Sequence, residues 1–432
     1  MESIVDLFIG NIIHCDQPFT VTVIQKGFVA VQRNKIIAVG HSSELQNRFT
    51  SENVRKTLLS DSQILIPGLI DTHIHACQYP NIGVGMNKPL LQWLKDHTYP
   101  LEKKFKDAQF SKRCYDAVVK KTLSYGTTTA AYFGSIYTDS TLILADSAIR
   151  LGQRALVGKV NLTKNGPADY IETSEESLRE TRRFINEMSK KNSELVKPII
   201  TPRFAVSVTK EDLKALGEMA KEFNLPIQTH LCENLDEIEL VKLEFHKDYP
   251  LVYDEAALLT DKTILAHCVY VKDVDVKLLR DRGSAVAHCP NSNLNIRSGI
   301  CDVKAIINGG VKVGLGTDVA GGCSCSVINA MRYAITSSAV LSFTNKNYEP
   351  VNYCDAFYLA TLGGAKALAL SDKIGSFHVD KDFDALIVDM DPNEGPADYL
   401  QECAPLELLQ KFVYVGDDRN VISVYVAGKK VK

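Results

Sequence analysis

No C-x-x-C pair occurs in this chain, although it holds 11 cysteines among 432 residues. An odd, scattered set of this kind argues against a disulfide framework and suits reduced thiols in a cytosolic protein. Charge of one sign is missing too. The formal net charge is -3, so the balance points to neither nucleic acid nor an anionic membrane surface as a partner. No apolar run reaches the length of a transmembrane helix. The start, "MESIVDLFIGNIIHCD", carries Glu2 and Asp6 and no basic cluster, so no signal peptide is expected. Tryptophan occurs once, at Trp93, and histidine ten times. What is there is a globular composition, 45% hydrophobic and 23% charged, long enough for one large core and an accessory domain.

Both ends of the chain read as short strands. "FVAVQRNKIIAVG" is two apolar runs around Arg33-Asn34, which predicts a hairpin. "DALIVD" (Asp384 to Asp389) and "VISVYVAGKKV" (Val421 to Val431) are strand-like near the other end. Neither flank builds a core alone, so residues 1–66 and 371–432 are expected to pair into one small β-sandwich domain. Residues 67–370 alternate β-branched runs with helical stretches, the signature of βα units and a parallel sheet. Eight runs are present: "ILIPGLIDTH", "TTTAAYFG", "RALVGKVNL", "VKPIITPRF", "LPIQTHL", "KTILAHC", "GSAVAHC" and "VKVGLGTD". Between them lie amphipathic stretches such as "SEESLRETRRFINEMSK" and "TKEDLKALGEMAKEF", the second opening on a good cap, Thr209. This predicts an α/β protein, a (β/α)8 TIM barrel, with a doubly wound open sheet as the alternative.

The polar residues fall at one end of these runs. His73 and His75 follow the first, Arg203 ends the fourth, and His230, His267, His288 and Asp318 end the fifth to eighth. Barrel active sites lie at that carboxyl rim. Side chains two apart on a strand share a face, so His73 and His75 converge. Three imidazoles and a carboxylate, from His73, His75, His230 and Asp318, suit Zn²⁺, with Fe²⁺ and Mn²⁺ as alternatives. Glu233, three residues after His230, is placed to shuttle protons; its plainer use is a first-turn acid against a helix dipole.

Other residues have structural readings. Cys268 and Cys289 directly follow histidines and are expected to face away from the site, into the helix layer. Cys77 and Cys232 read as small packing residues. His288, at the rim, is expected to support the ligands from behind, with bracing of the loop that opens with Cys289-Pro290 as its plainer reading. Trp93, in "PLLQWLKDH", belongs to a lid or to a plain amphipathic helix, and His97 to packing. His14, His41, His246 and His378 lie off the rim and take no role. "GLGTD" lacks the third glycine of a dinucleotide motif.

With these residues placed, the chain resembles the amidohydrolase superfamily. The resemblance rests on "PGLIDTHIH", the later histidines and aspartate, and the closing "IGSFHVDKDFDALIVD". Within it, "DTHIHACQY", "PLLQWLKDHTYPLEKKF", "TPRFAVSV", "QTHLCEN", "AHCPNSN", "GLGTDVAGG" and "LATLGGAKAL" are similar to the guanine deaminase family. The resemblance implies one zinc per subunit on His73, His75, His230 and Asp318. It makes Glu233 the main proton shuttle, has His267 orient the attacking hydroxide, and adds Asp318 as a catalytic base. Arg203 stands where binuclear members carry a bridging lysine, which implies a single-metal site. The implied reaction is hydrolysis of guanine to xanthine and ammonia in purine catabolism, in a cytoplasmic homodimer.

Substrate contacts are expected from His75, Ala76, Cys77 and Gln78, from Arg203 and Phe204, and from His230, Glu233 and Asp318. The planar fork of Arg203 matches the O6 and N7 acceptors of guanine, Gln78 another purine edge, and Phe204 offers a stacking face. Alternatives are an amidohydrolase acting on 8-oxoguanine or on an adenosine-type, cytosine or triazine substrate, and a metal-free interaction protein on the same scaffold. The P-C-x-x-C of the cytidine deaminase fold is absent.

Overall fold

At Gly68 the chain passes from one sheet into another. The computed structural model describes residues 4–45, 49 and 53–432; Glu2 and part of the 1–66 flank lie outside them. Before Gly68, Gln63–Pro67 pairs antiparallel with Ala385–Asp389 and parallel with Val5–Gln17. After it, Leu69–His75 opens the parallel strands. The Gly68 N–H donates to the Asp384 carbonyl at 2.9 Å, and a Cβ at Gly68 would meet Thr128 Oγ1 at 2.1 Å. Gly68→Ala should therefore cost about 1–3 kcal/mol through overpacking. Thermal unfolding checks this, and an unchanged Tm would contradict it.

The chain ends do pair. Thr20–Gln32 and Lys35–His41 form the hairpin read around Arg33-Asn34, with Arg33 left-handed at φ 60°. Val5–Gln17, Val54–Leu58, Gln63–Pro67, Ala385–Asp389, Val421–Val426 and Lys429–Lys430 complete the eight strands. They are hydrogen-bonded into one sheet that branches at its long first strand, and this connectivity does not by itself separate the two sheets expected of a β-sandwich. Residues 5–9 of that strand pair with Val54–Leu58 and residues 11–12 with Gln63–Pro67. Alternate residues bury into two clusters, Phe8, Val29 and Val31 in one, and Leu7, Phe28 and Ala30 in the other.

The middle of the chain supplies eight parallel strands in cyclic order. Strand one is Leu69–His75, two Thr127–Phe133, and three Arg154–Gly158 with Val160–Asn161. Strand four is Val196–Pro198 with Thr201–Pro202, and five to eight are Ile227–Leu231, Thr263–His267, Ala285–His288 and Lys312–Leu315. Strands one to four form one arc and five to eight another. An Ile200–Ile227 bridge joins four to five. Beyond strand eight, Asp318 N–H donates to the His73 carbonyl at 2.9 Å, and His75 N–H to the Val319 carbonyl at 3.1 Å.

This is a TIM-barrel-like α/β arrangement. A doubly wound sheet would reverse its strand order partway. Ile70, Ala131, Leu156, Ile199, Ile264 and Ala285, from six different strands, meet in one cluster and fill the ring. Outside it run the two predicted helices, Ser174–Lys190 and Lys210–Glu222, the second capped by Thr209 Oγ1 accepting from Asp212 N–H at 3.1 Å. Among the described residues no helix is long and apolar enough to cross a membrane.

Candidate active site

Asp71 organises the rim. Its buried carboxylate accepts from His73 N–H at 3.2 Å, Thr317 N–H at 3.0 Å and the Thr317 hydroxyl at 2.5 Å, tying strand one to the residue before Asp318. Burial pushes its carboxyl up to about 7, against the pull of those bonds. His73 and His75 reach one side as expected, with ring centres 4.9 Å apart.

His73, His75, His230 and Asp318 come together, with one donor atom of each within 4.8 Å of the others. His73 Nε2 lies 3.1 Å and His75 Nε2 3.4 Å from Asp318 Oδ1, and His75 Nε2 lies 3.1 Å from His230 Nε2. His230 Nδ1–H donates to the Arg203 carbonyl at 2.5 Å, which leaves the Nε2 lone pair for the group. Burial, helped by the neighbouring imidazoles, holds His75 and His230 well below the usual histidine range, so both are neutral, as metal ligation requires. Four converging electron-pair donors, three nitrogen and one oxygen, fit a single divalent cation of the zinc type.

Glu233 is free of the capping duty that was its plainer reading. The helix Leu235–Phe245 is capped by Asn234, whose Oδ1 accepts from Asp236 N–H at 2.9 Å. Glu237 accepts from the backbone N–H groups of Glu233 and Asn234 at 2.9 and 3.3 Å. The Glu233 side chain thus faces the cavity. It accepts from the Ser298 hydroxyl at 3.0 Å and lies 3.4 Å from His267 Nε2. Burial, then the charge of Asp318, pushes its carboxyl up to about 8. His267 Nδ1–H donates to Asn293 Oδ1 at 2.8 Å, so the Nε2 lone pair faces Glu233 and Asp318.

His267 and Asp318 adopt left-handed backbone, φ 74° and 45°. That region is unfavourable for residues other than glycine, and such strain gathers at functional sites. It also breaks the alternation of strand six. Ala266 belongs to the cluster filling the ring, yet His267 reaches the site as well.

The other end of the cavity belongs to Arg203 and Gln78. Arg203 is buried, and its Nη1 and Nη2 donate to the two oxygens of Glu102 at 2.7 and 3.2 Å. Gln78 Nε2 and the Tyr170 hydroxyl donate to the same carboxylate at 3.0 and 2.9 Å, while Gln78 Oε1 accepts from Ala320 N–H at 3.1 Å. The guanidinium lies over the Tyr99 ring, 5.1 Å from its centre. Phe204, Trp93 and Leu94 supply apolar wall. Ala76 and Cys77 are buried in the turn Ala76–Asn81 but do not line the cavity, and the Cys77 thiol donates to the Gly134 carbonyl at 2.9 Å.

Cys289 corrects the sequence reading. Cys268 packs in the outer core as expected, but Ala285, Ala287 and Cys289 share the cluster inside the ring. Strand alternation counted from those alanines turns Cys289 inward, where it groups with His73 and His267. His288 takes the other parity. It is buried, burial lowers it to about 3, and neither ring nitrogen has a hydrogen-bond partner among the described residues. A separate trio, His14, Asp16 and His378, lies on the terminal sheet, where His14 Nδ1 accepts from Phe377 N–H at 3.3 Å.

Asp71, Glu102 and Asn293 lie inside motifs quoted above, but no chemistry of spacing singled them out. Ser298 and Tyr170 lie outside every motif.

The amidohydrolase family matches residues 64–431. Guanine deaminase of Rattus norvegicus is 43% identical over 438 residues, covering 98% of this chain and 96% of its own length. The Homo sapiens guanine deaminase is 41% identical, covering 100% of this chain and 97% of its own. Among solved structures, guanine deaminase from C. acetobutylicum with bound guanine in the active site superposes with a TM-score of 0.93 at 35% identity, over 99% of this chain and 100% of that one. A match through both the ring and the terminal sheet settles the affiliation: the chain belongs to the amidohydrolase family, together with the guanine deaminases.

Proposed function

We propose that this enzyme hydrolyses guanine to xanthine and ammonia. One observation carries the reading: a four-donor cation site, Glu233 and the Arg203–Gln78 pair face one buried cavity. The guanine deaminase relatives, one of them with guanine in its active site, support it.

His73, His75, His230 and Asp318 would hold one Zn²⁺, which when bound acidifies a water for attack. The remaining work falls to the chain's own groups. Asp318 accepts the proton of the attacking water as its oxygen adds to C2. His267, whose Nε2 carries the lone pair, accepts a hydrogen bond from that water and orients it. Glu233, protonated at neutral pH, donates to ring N3 and makes C2 electrophilic; the water proton held by Asp318 then passes to the amino group, the C2–N bond breaks to release ammonia, and the proton of the new C2 hydroxyl returns to Glu233. Arg203 and Gln78 read the purine edge with the N–H bonds not aimed at Glu102, and Phe204 packs on the ring. Within the run His75 to Gln78, His75 and Gln78 are the residues that face the base. By family resemblance the reading extends to a cytoplasmic homodimer in purine breakdown. Residues 67–370 are its catalytic unit, and 1–66 with 371–432 the accessory one.

Ammonia release from guanine, adenine, 8-oxoguanine, cytosine and an aminotriazine tests the substrate. Guanine should be converted, and conversion of another ring with none of guanine would overturn the reading. A pH series tests the acid. Glu233 acts in its protonated form and its carboxyl sits at about 8, so kcat/KM should fall above about pH 8 with the slope of one proton. A flat alkaline limb would contradict that role.

A further inference from the structure

Glu102 is almost wholly buried, and four donors converge on its two oxygens: Gln78 Nε2, the Tyr170 hydroxyl and both terminal nitrogens of Arg203. Each oxygen accepts from two of these donors, the pattern that suits the acceptor sites of a carboxylate. The other titratable groups around Glu102 and Arg203 are Tyr99, Tyr170, Tyr115, Tyr137, Cys77 and His75. Burial raises the tyrosines and the thiol and lowers the imidazole, so all of them stay neutral. The adjacent Lys103 turns outward to Asp169 at 2.7 Å. The recognition end of the cavity therefore holds one buried cation and one buried anion, paired through two hydrogen bonds.

We propose that Glu102 cancels the charge of Arg203, so that this end of the cavity binds a neutral purine and does not retain an anionic one. The inference rests on the guanine reading above. Guanine is neutral at neutral pH, whereas xanthine, its product, gives up a ring proton close to neutrality. An unpaired guanidinium in a buried cavity would hold that anion and slow its release. Paired with Glu102, the guanidinium keeps its direction and its outward N–H bonds but loses its net attraction for a negative ring. Gln78, fixed by the same carboxylate, adds a neutral amide. Glu102 is thus a positioning residue with an electrostatic task, and it reaches the base only through Arg203 and Gln78.

The test is Glu102→Gln in the full-length, metal-loaded enzyme, with xanthine as inhibitor of guanine hydrolysis on both sides of xanthine's ionisation. In the variant the xanthine anion should bind at least about tenfold tighter than in wild type, while the guanine KM rises. A merely structural role would weaken both ligands together, and that result overturns the proposal. If the variant does not fold, the wild-type pH series decides. Xanthine inhibition should be level or weaker once xanthine ionises, and about tenfold tightening there would overturn the proposal. Wild-type enzyme that hydrolyses no guanine would instead overturn the substrate reading, an outcome seen before any variant is made.

Discussion

Glu233→Gln should lower kcat for guanine by about a thousandfold, within the range for loss of a general acid. Glutamine matches the carboxyl in size, and its amide oxygen can still accept from the Ser298 hydroxyl, 3.0 Å away in the native protein. The backbone bond from residue 233 to Glu237 is untouched. What is lost is the proton that burial retains on this carboxyl up to about pH 8. The metal content should stay at the wild-type value, because His73, His75, His230 and Asp318 are unaltered. Stability should hold or rise slightly, since a neutral amide replaces a buried group that pays a desolvation penalty on ionising. Steady-state kinetics, metal analysis and thermal unfolding on one preparation separate these effects. A fall in kcat of less than about tenfold would reduce Glu233 to a buried acid without a chemical role.

Arg203→Ala should damage recognition and stability at once. Guanine loses its bidentate partner, and kcat/KM should drop by about a hundredfold, the upper end for one such contact. The protein also loses the cation paired with Glu102. A carboxylate with 1% exposure would remain, with Gln78 and Tyr170 as its donors. Breaking a buried pair in this way costs about 3–5 kcal/mol. Kinetics of the single variant therefore mix recognition with stability.

The double variant Arg203→Met with Glu102→Leu separates them. Apolar replacement of both partners of a buried pair is often neutral or stabilising, so most of the lost Tm should return while guanine turnover does not. Turnover that returned with the Tm would remove Arg203 from substrate reading. A Tm that failed to recover would show that the two residues are not energetically coupled.

The strand positions and the ligand set were legible in the sequence for one reason. A βα repeat delivers every strand's carboxyl end to the same rim, which gathers His73, His75, His230 and Asp318 as candidates, but His288 shows that a place at the rim does not by itself turn a side chain into the site. The Arg33-Asn34 hairpin and the Thr209 cap were legible because both depend on neighbouring residues alone.

Side-chain direction at the strand ends was not legible. Alternation counted from His288 sends Cys289 outward, but the residues inside the ring are Ala285 and Ala287, and small side chains give no local sign of which face they take. His267 and Asp318 reach the site through left-handed backbone that no propensity would assign to them.

By itself, then, the sequence determined the βα order, the rim that gathers the candidate site, the four residues that could hold a cation and the acid beside them. Only the tertiary structure decided what restrains those groups. Glu102 meets Arg203 across 101 residues of chain, Thr317 meets Asp71 across 246, and Asn293 meets His267 across 26. The physical reason is that a ligand's identity lies in its own side chain and its place on a strand. Its charge, tautomer and direction are set by whichever donors and acceptors are buried against it, and those come from parts of the chain that only folding brings near.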